Sequence, residues 1–192
     1  MEKKSEIAAY LLPQMKKIVI IGPESTGKST LCEQLALHYN TQWIPEYARE
    51  YLTQHGMKYS YDDLLTIAKG QIALEEIYIP ASPTSSAGNI IFIDTDMYVL
   101  RVWCEYVFGQ CHTWILERIA ERKYDHYLLC NIDLPWVKDP LREYPDLETR
   151  QRLFHIYRDI MINQSVPWTE ISGNYEERLQ KAIATIDKLQ QA

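Results

Sequence analysis

The apolar positions of the chain fall into two alternating kinds of run. Short, nearly continuous ones occur at Ile18-Val19-Ile20-Ile21, Ile90-Ile91-Phe92-Ile93 and Tyr127-Leu128-Leu129-Cys130. A strand buried on both faces of a parallel sheet reads this way, because neither face meets water. These runs predict strands over about 16–22, 90–93 and 127–130, and shorter runs add strands near Thr41-Gln42-Trp43-Ile44-Pro45 and Trp168-Thr169-Glu170-Ile171. Between them the apolar residues recur at helical spacing. Leu31, Leu35 and Tyr39 form one stripe within 28–39. Leu64, Leu65, Ile67, Ala68 and Ile72 form a broader one within 61–79, whose first turn carries Asp62 and Asp63, as the helix dipole favours. Further helices are predicted over 47–55, 97–108, 112–122, 147–163 and from 174 onward. The small, polar, turn-rich stretch 80–88 breaks the pattern and is expected to be a flexible surface loop. Five strands interleaved with helices and no internal repeat predict an α/β fold of three layers around a five-stranded parallel sheet, with the ligand at the carboxyl ends of the strands.

Composition narrows the partners. At 192 residues the chain has the size of one α/β domain, read as an N-terminal extension over 1–15 and a single domain over 16–192. Its 46% hydrophobic and 24% charged content is that of a globular protein that folds on its own. A net charge of -6 argues against nucleic acid and for a small-molecule partner, since binding phosphate backbones needs clustered Lys and Arg. Cys32, Cys104, Cys111 and Cys130 lack metal-binding or scaffold spacing and read as reduced core thiols, and none of the five histidines has metal-ligand spacing. The first residues lack the apolar run of a signal peptide or anchor, and no run approaches the ~20 residues of a membrane span. A cytoplasmic protein, without membrane or nucleic-acid partners, is expected.

The main chemical signal follows the first apolar run. Gly22-Pro-Glu24-Ser25-Thr26-Gly27-Lys28-Ser29-Thr30 fits G-x-x-x-x-G-K-[ST], with a strand before it and a helix after it. The glycines let successive N–H groups converge on one anion, Lys28 can reach the β and γ phosphates, and the Ser29 hydroxyl can hold Mg²⁺. ATP and Mg²⁺ are therefore the expected cofactors, bound along residues 22–30. Asp94 and Asp96 stand where the 90–93 run ends, so their carboxylates are expected at the same crevice, Asp94 joining Ser29 at the metal. Asp96 has the alternative of capping the helix that begins near Met97.

Glu46 ends the second strand and could orient or deprotonate an attacking hydroxyl, or could simply favour a helix start. The charged, aromatic, proline-containing segment after the fourth strand, with Trp136, Lys138, Asp139 and Arg142, followed by Arg150 and Arg152, has the makings of a short lid over about 131–152. Such a lid can exclude water and bring Arg142, Arg150 and Arg152 to the phosphates. Fourteen tyrosines and five tryptophans are many for this length. Trp43, Tyr47, Tyr98, Trp103 and Tyr106 cluster toward the acceptor side, where rings can stack on a flat or cationic substrate or serve only as core.

Together these pieces resemble the ribosylnicotinamide kinase domain of NadR-type NAD-salvage proteins, within the P-loop nucleoside and nucleotide kinases. The resemblance covers nearly all of 16–190 and rests on Glu46-Tyr-Ala-Arg-Glu-Tyr51, Ala68-Lys-Gly-Gln71, Phe92-Ile-Asp-Thr-Asp96, Trp136-Val-Lys-Asp139 with Arg142, and Ile171-Ser-Gly-Asn-Tyr-Glu-Glu-Arg178. It implies a three-layer P-loop kinase fold and phosphorylation of the 5′-hydroxyl of nicotinamide riboside to nicotinamide mononucleotide, a step of NAD biosynthesis. It also implies that Ser172, Gly173 and Asn174 lie beside the adenine. Glu46, Tyr47, Arg49, Gln71, Asp96, Trp103, Tyr106 and Trp136 are the expected acceptor residues, and Lys28, Glu46, Asp94, Asp96 and Arg142 the catalytic ones. Bifunctional family members carry an adenylyltransferase domain before the kinase. Here about fifteen residues precede the first strand, so adenylyl transfer is expected from a separate protein. Pro45 and the 80–88 loop depart from the family pattern and bear on the shape of the acceptor pocket. A kinase for another nucleoside or small hydroxyl compound, and an ATPase switch, are the competing readings.

Overall fold

The computed structural model describes residues 15–81 and 89–191. All but the last residue of the expected N-terminal extension, and residues 82–88 of the expected loop, lie outside the described residues. The sheet holds β1 (Lys16–Ile21), β2 (Trp43–Ile44), β3 (Ile90–Asp94), β4 (His126–Cys130) and β5 (Trp168–Ile171). All neighbours are parallel, in the order β2-β3-β1-β4-β5. The helices are α1 (Lys28–His38), α2 (Tyr47–His55), α3 (Tyr61–Ala81), α4 (Met97–Phe108), α5 (Thr113–Glu121), α6 (Leu147–Asn163) and α7 (Tyr175–Gln191). The predicted α/β architecture is thus present. β2 is shorter than the predicted 41–45, and α3 continues two residues past 79 into the expected loop.

Strand alternation divides the core. Ile18, Ile20, Phe92 and Leu128 face α1 and α7, meeting Leu31, Leu35, Ala182 and Ile186. Val19, Ile21, Ile91, Ile93 and Leu129 face the other layer, where Val99, Val102, Leu153, Phe154 and Met161 cover them. A third cluster joins α2, α3, α4 and α5 through Ala48, Leu64, Ile67, Ala68, Leu100 and Ile115. Because the register pairs Ile20 with Asp94 and Leu128, and Cys130 with Ile171, the carboxyl ends of all five strands open on one edge of the sheet. No helix among the described residues is long and apolar enough to cross a membrane.

One contact fixes the start of α2. A Cβ added to Gly70 would lie 2.1 Å from Tyr47 Cε1, so the Tyr47 ring lies directly on the α3 backbone. Alanine would gain about 1 kcal/mol of helix propensity, but overpacking costs about 1–3 kcal/mol, and no flexible chain end is available to yield. Gly70→Ala should therefore lower the thermal unfolding midpoint, and truncating Tyr47 in the same protein should abolish that loss.

Candidate active site

The loop 22–27 carries the chain from β1 into α1. A Cβ on Gly22, at φ 140°, would meet the Cys130 carbonyl oxygen at 2.7 Å, so only glycine lets the loop leave β1 beside β4. Ser25 (φ 56°) and Gly27 (φ 77°) complete the curl in left-handed conformations. The Thr26 hydroxyl donates to Pro23 O (2.8 Å), and the Lys28 ammonium bends back to the same carbonyl (3.0 Å). Among the described residues no side chain caps α1, and no acidic residue occupies its first turn, so its free amides and positive dipole end are left for an anion.

Behind the loop, Ser29 Oγ donates to Asp94 Oδ2 at 2.5 Å. Asp94 is fully buried. Burial, then the negative charge of Glu46, push its carboxyl up to about 6, against the pull of Lys28 and of the hydrogen bonds from Ser29 and Thr95. A site that makes a carboxylate costly to ionise, beside a hydroxyl and a second acid, suits a hard divalent cation bound through oxygen. Glu46 occupies the N-cap position of α2 and lines the cleft, but its side chain does not cap the helix. Its backbone is held from below: buried Gln71 accepts from Tyr47 N (2.8 Å) and donates to Pro45 O (3.4 Å) and Asp94 O (3.5 Å). Gln71 therefore braces the backbone on both sides of Glu46.

Asp96 is also buried, and it caps α4 by accepting from Tyr98 N (3.0 Å) while Tyr127 OH donates to its other oxygen (2.8 Å). Burial chiefly, with the charge of Glu75 adding to it, raises its carboxyl to about 7. In asparagine the Oδ1 can still accept from Tyr98 N and the Nδ2 can donate to the Tyr127 hydroxyl oxygen, whereas alanine loses a cap worth about 0.5–2 kcal/mol and leaves a buried hydroxyl unsatisfied. Asp96→Asn should retain turnover within a few-fold and Asp96→Ala should lower the unfolding midpoint. A loss of activity in the asparagine variant comparable to that of an Asp94 variant would instead give Asp96 a chemical role.

The segment 131–146 runs without regular structure until Asp146 caps α6 through Thr149 N (2.7 Å). It lies docked on the phosphate loop. Ser25 Oγ accepts from Val137 N (2.9 Å) and from Arg142 Nη1 (3.1 Å), and Glu24 accepts from the amides of Glu143 (2.9 Å) and Tyr144 (3.3 Å). Burial raises the Glu24 carboxyl despite those amides. Arg49 on α2 reaches Asp139 at 2.9 Å. Arg150 is buried beneath the loop, with long contacts to the carbonyls of Ser25, Ile132 and Leu134 and an Nε that has no partner among the described residues.

Residues 22–30, Glu46, Arg49, Trp103, Tyr106 and Arg142 come together around one cleft, which encloses about 1080 Å³ including the space at its mouth. Ala48, Leu52, Val99, Val102 and Tyr157 give it an apolar floor. Other expected site residues stand elsewhere. Tyr47 lies against α3, and Trp136 sits near the guanidiniums of Arg142 (5.9 Å) and Arg150 (5.6 Å). Arg152 covers the Tyr106 ring at 5.5 Å in a neighbouring hollow. Trp43 packs into the core beside α1, and Tyr98 meets Tyr127 edge-on. Gly173 donates to Asp133 (2.6 Å), and Asn174 opens α7 by accepting from the amides of Glu176 and Glu177 (3.0 Å each). Ser172, Gly173 and Asn174 do not line the cleft, whereas the Tyr175 ring comes within 3.3 Å of the Cβ position of Gly27.

The residue that sequence reasoning missed is Arg178. Almost fully buried, it donates to Thr26 O (2.9 Å), Asn131 O (2.9 Å) and Gly173 O (2.7 Å) and pairs with Asp133, tying the phosphate loop to the ends of β4 and β5. An arginine in the first turn of a helix opposes the dipole, and that mismatch was the available signal.

Against known proteins, a family model described as an AAA domain matches residues 17–178. The trifunctional NAD biosynthesis/regulator protein NadR of Salmonella typhimurium is 26% identical over 180 residues, covering 91% of this chain and 43% of the relative. The chain thus spans less than half the length of that curated relative. Solved structures of NadR protein are similar in fold. The one in complex with NR has a TM-score of 0.75 at 24% identity, covering 91% of this chain and 49% of that one. The one in complex with NAD and AMP-PNP has 0.68 at 23%, covering 93% and 50%. Thymidylate kinase from Ehrlichia chaffeensis shares the fold with a TM-score of 0.66 at 16% identity, over 91% of this chain and all of that one. A nucleotide-binding loop on a P-loop kinase sheet, matched over most of its length by that family model, identifies the chain as a member of the AAA domain family.

Proposed function

We propose that the chain is an ATP- and Mg²⁺-dependent kinase that transfers the γ-phosphoryl group to the 5′-hydroxyl of nicotinamide riboside, giving nicotinamide mononucleotide and ADP. The observation that carries this reading is one cleft in which the phosphate loop and Lys28 face Glu46 and the rings of Trp103 and Tyr106. The relatives support it, since NadR proteins act in NAD biosynthesis and one has been solved with NR.

Loop amides and Lys28 hold the β and γ phosphates and keep the transferring group in line with the acceptor. Ser29 and Asp94 are the residues that would hold Mg²⁺, which when bound offsets the charge on the phosphate oxygens. Glu46 orients the acceptor hydroxyl and can take its proton as the new P–O bond forms and the bond to ADP breaks. Arg142, already beside Ser25, adds positive charge from the lid and helps exclude water. A cationic pyridinium between aromatic faces, near Glu46, meets complementary chemistry.

The test is turnover with Mg-ATP and a panel of nucleosides. Nicotinamide riboside should give the highest kcat/KM. Phosphorylation of another nucleoside but not of nicotinamide riboside would overturn the acceptor assignment, and acceptor-independent hydrolysis alone would overturn the kinase reading.

A further inference from the structure

One hydroxyl joins the two walls of the cleft without lining it. Tyr59 lies in the connection between α2 and α3, with its ring edge-on to Trp103 at 4.9 Å. Trp103 Nε1 donates to Tyr59 OH at 2.9 Å, and Tyr59 OH donates to Glu143 Oε2 at 2.8 Å. The backbone amide of Glu143 in turn donates to Glu24 of the phosphate loop. Trp103, Glu143 and Glu24 all line the cleft. A continuous chain therefore runs from the acceptor wall, through Tyr59, to the lid and on to the donor loop.

We propose that Tyr59 is a positioning residue that latches the lid to the acceptor wall, so that the orientation of Trp103 and closure over the phosphate loop are set together. A phenylalanine would pack against Trp103 and Phe108 equally well, so packing alone does not call for the hydroxyl. Its acceptor and donor capacity is matched one to one by an indole N–H and a carboxylate on two different elements. A second contact runs in parallel: Tyr144 of the lid meets Tyr106 of the acceptor wall edge-on at 5.4 Å. The Tyr59 bonds add direction to that contact, and a hydrogen bond to a charged group is the stronger kind. A lid held in this way excludes water from the phosphates while an acceptor is being placed, which favours transfer over hydrolysis.

The prediction for turnover rests on the kinase reading, whereas the prediction for lid opening does not. In Tyr59→Phe, amide hydrogen exchange at Glu143 and Tyr144 should accelerate about tenfold, the equivalent of about 1.4 kcal/mol of lost closure. The ratio of ATP hydrolysis to acceptor phosphorylation should rise by a similar factor, with the KM for ATP within about twofold of wild type. Glu143→Gln keeps an oxygen that can accept from the hydroxyl and should leave lid exchange slow. Glu143→Ala should speed exchange as Tyr59→Phe does, and the double variant should be no faster than either single one. Unchanged exchange in Tyr59→Phe, a lowered unfolding midpoint without faster exchange, or additive effects in the double variant would each overturn the latch. A wild-type protein that phosphorylates no acceptor overturns the kinase reading instead, and exchange still decides the latch.

Discussion

Lys28→Ala is expected to reduce phosphoryl transfer by about 10³-fold while leaving cooperative unfolding unchanged, because in the proposed mechanism the ammonium serves the phosphates and not the core. Among the described residues Lys28 Nζ has one hydrogen-bond partner, the Pro23 carbonyl at 3.0 Å, and the residue lines the cleft. That ammonium–carbonyl bond, part-exposed to water, contributes about 1.5 kcal/mol to the fold, whereas losing a preorganised positive charge from a water-poor site costs the transition state about 4 kcal/mol. Steady-state kinetics beside a thermal melt check this. A variant with wild-type turnover would remove Lys28 from the mechanism, and one that fails to melt cooperatively would move it into the structural frame.

Asp94→Asn should raise the Mg²⁺ concentration needed for half-maximal activity by about 10–100-fold. The asparagine oxygen can still accept from Ser29 Oγ, so the local geometry survives while the charge does not. Without ligand the variant should melt no lower than wild type at pH 8, because burial already holds the Asp94 carboxyl up at about 6 and its ionised form is the costly one. The two effects separate a metal ligand from a structural acid. Activity that titrates with Mg²⁺ as in wild type would contradict the metal assignment.

The sheet was legible because β1, β3 and β4 are apolar on both faces, the pattern of a covered parallel strand, and each run is too short for a buried helix. The donor side of the candidate site was legible for a related reason: the phosphate loop is local in sequence, and its glycines and lysine act within nine residues. The opposite wall of the cleft, the proposed acceptor side, depends on contacts between distant residues, which spacing does not encode. Tyr47 and Trp103 look alike as aromatic residues at helical positions, yet one is pressed onto Gly70 and the other opens on the cleft. Gln71 and Arg178 carry polar groups that a pattern assigns to the surface, and both are buried because backbone carbonyls of other elements satisfy them. Asp96 offered a cap and a chemical role equally by position, and the Tyr98 amide and Tyr127 hydroxyl engage both of its oxygens.

The most direct test of the central claim follows the phosphorus. Wild-type protein, Mg-ATP and nicotinamide riboside are monitored by ³¹P NMR. The account predicts one new phosphomonoester at the ribose 5′ position, formed in equal amount with ADP and with little inorganic phosphate. ADP matched by inorganic phosphate, with nicotinamide riboside unchanged, would contradict it.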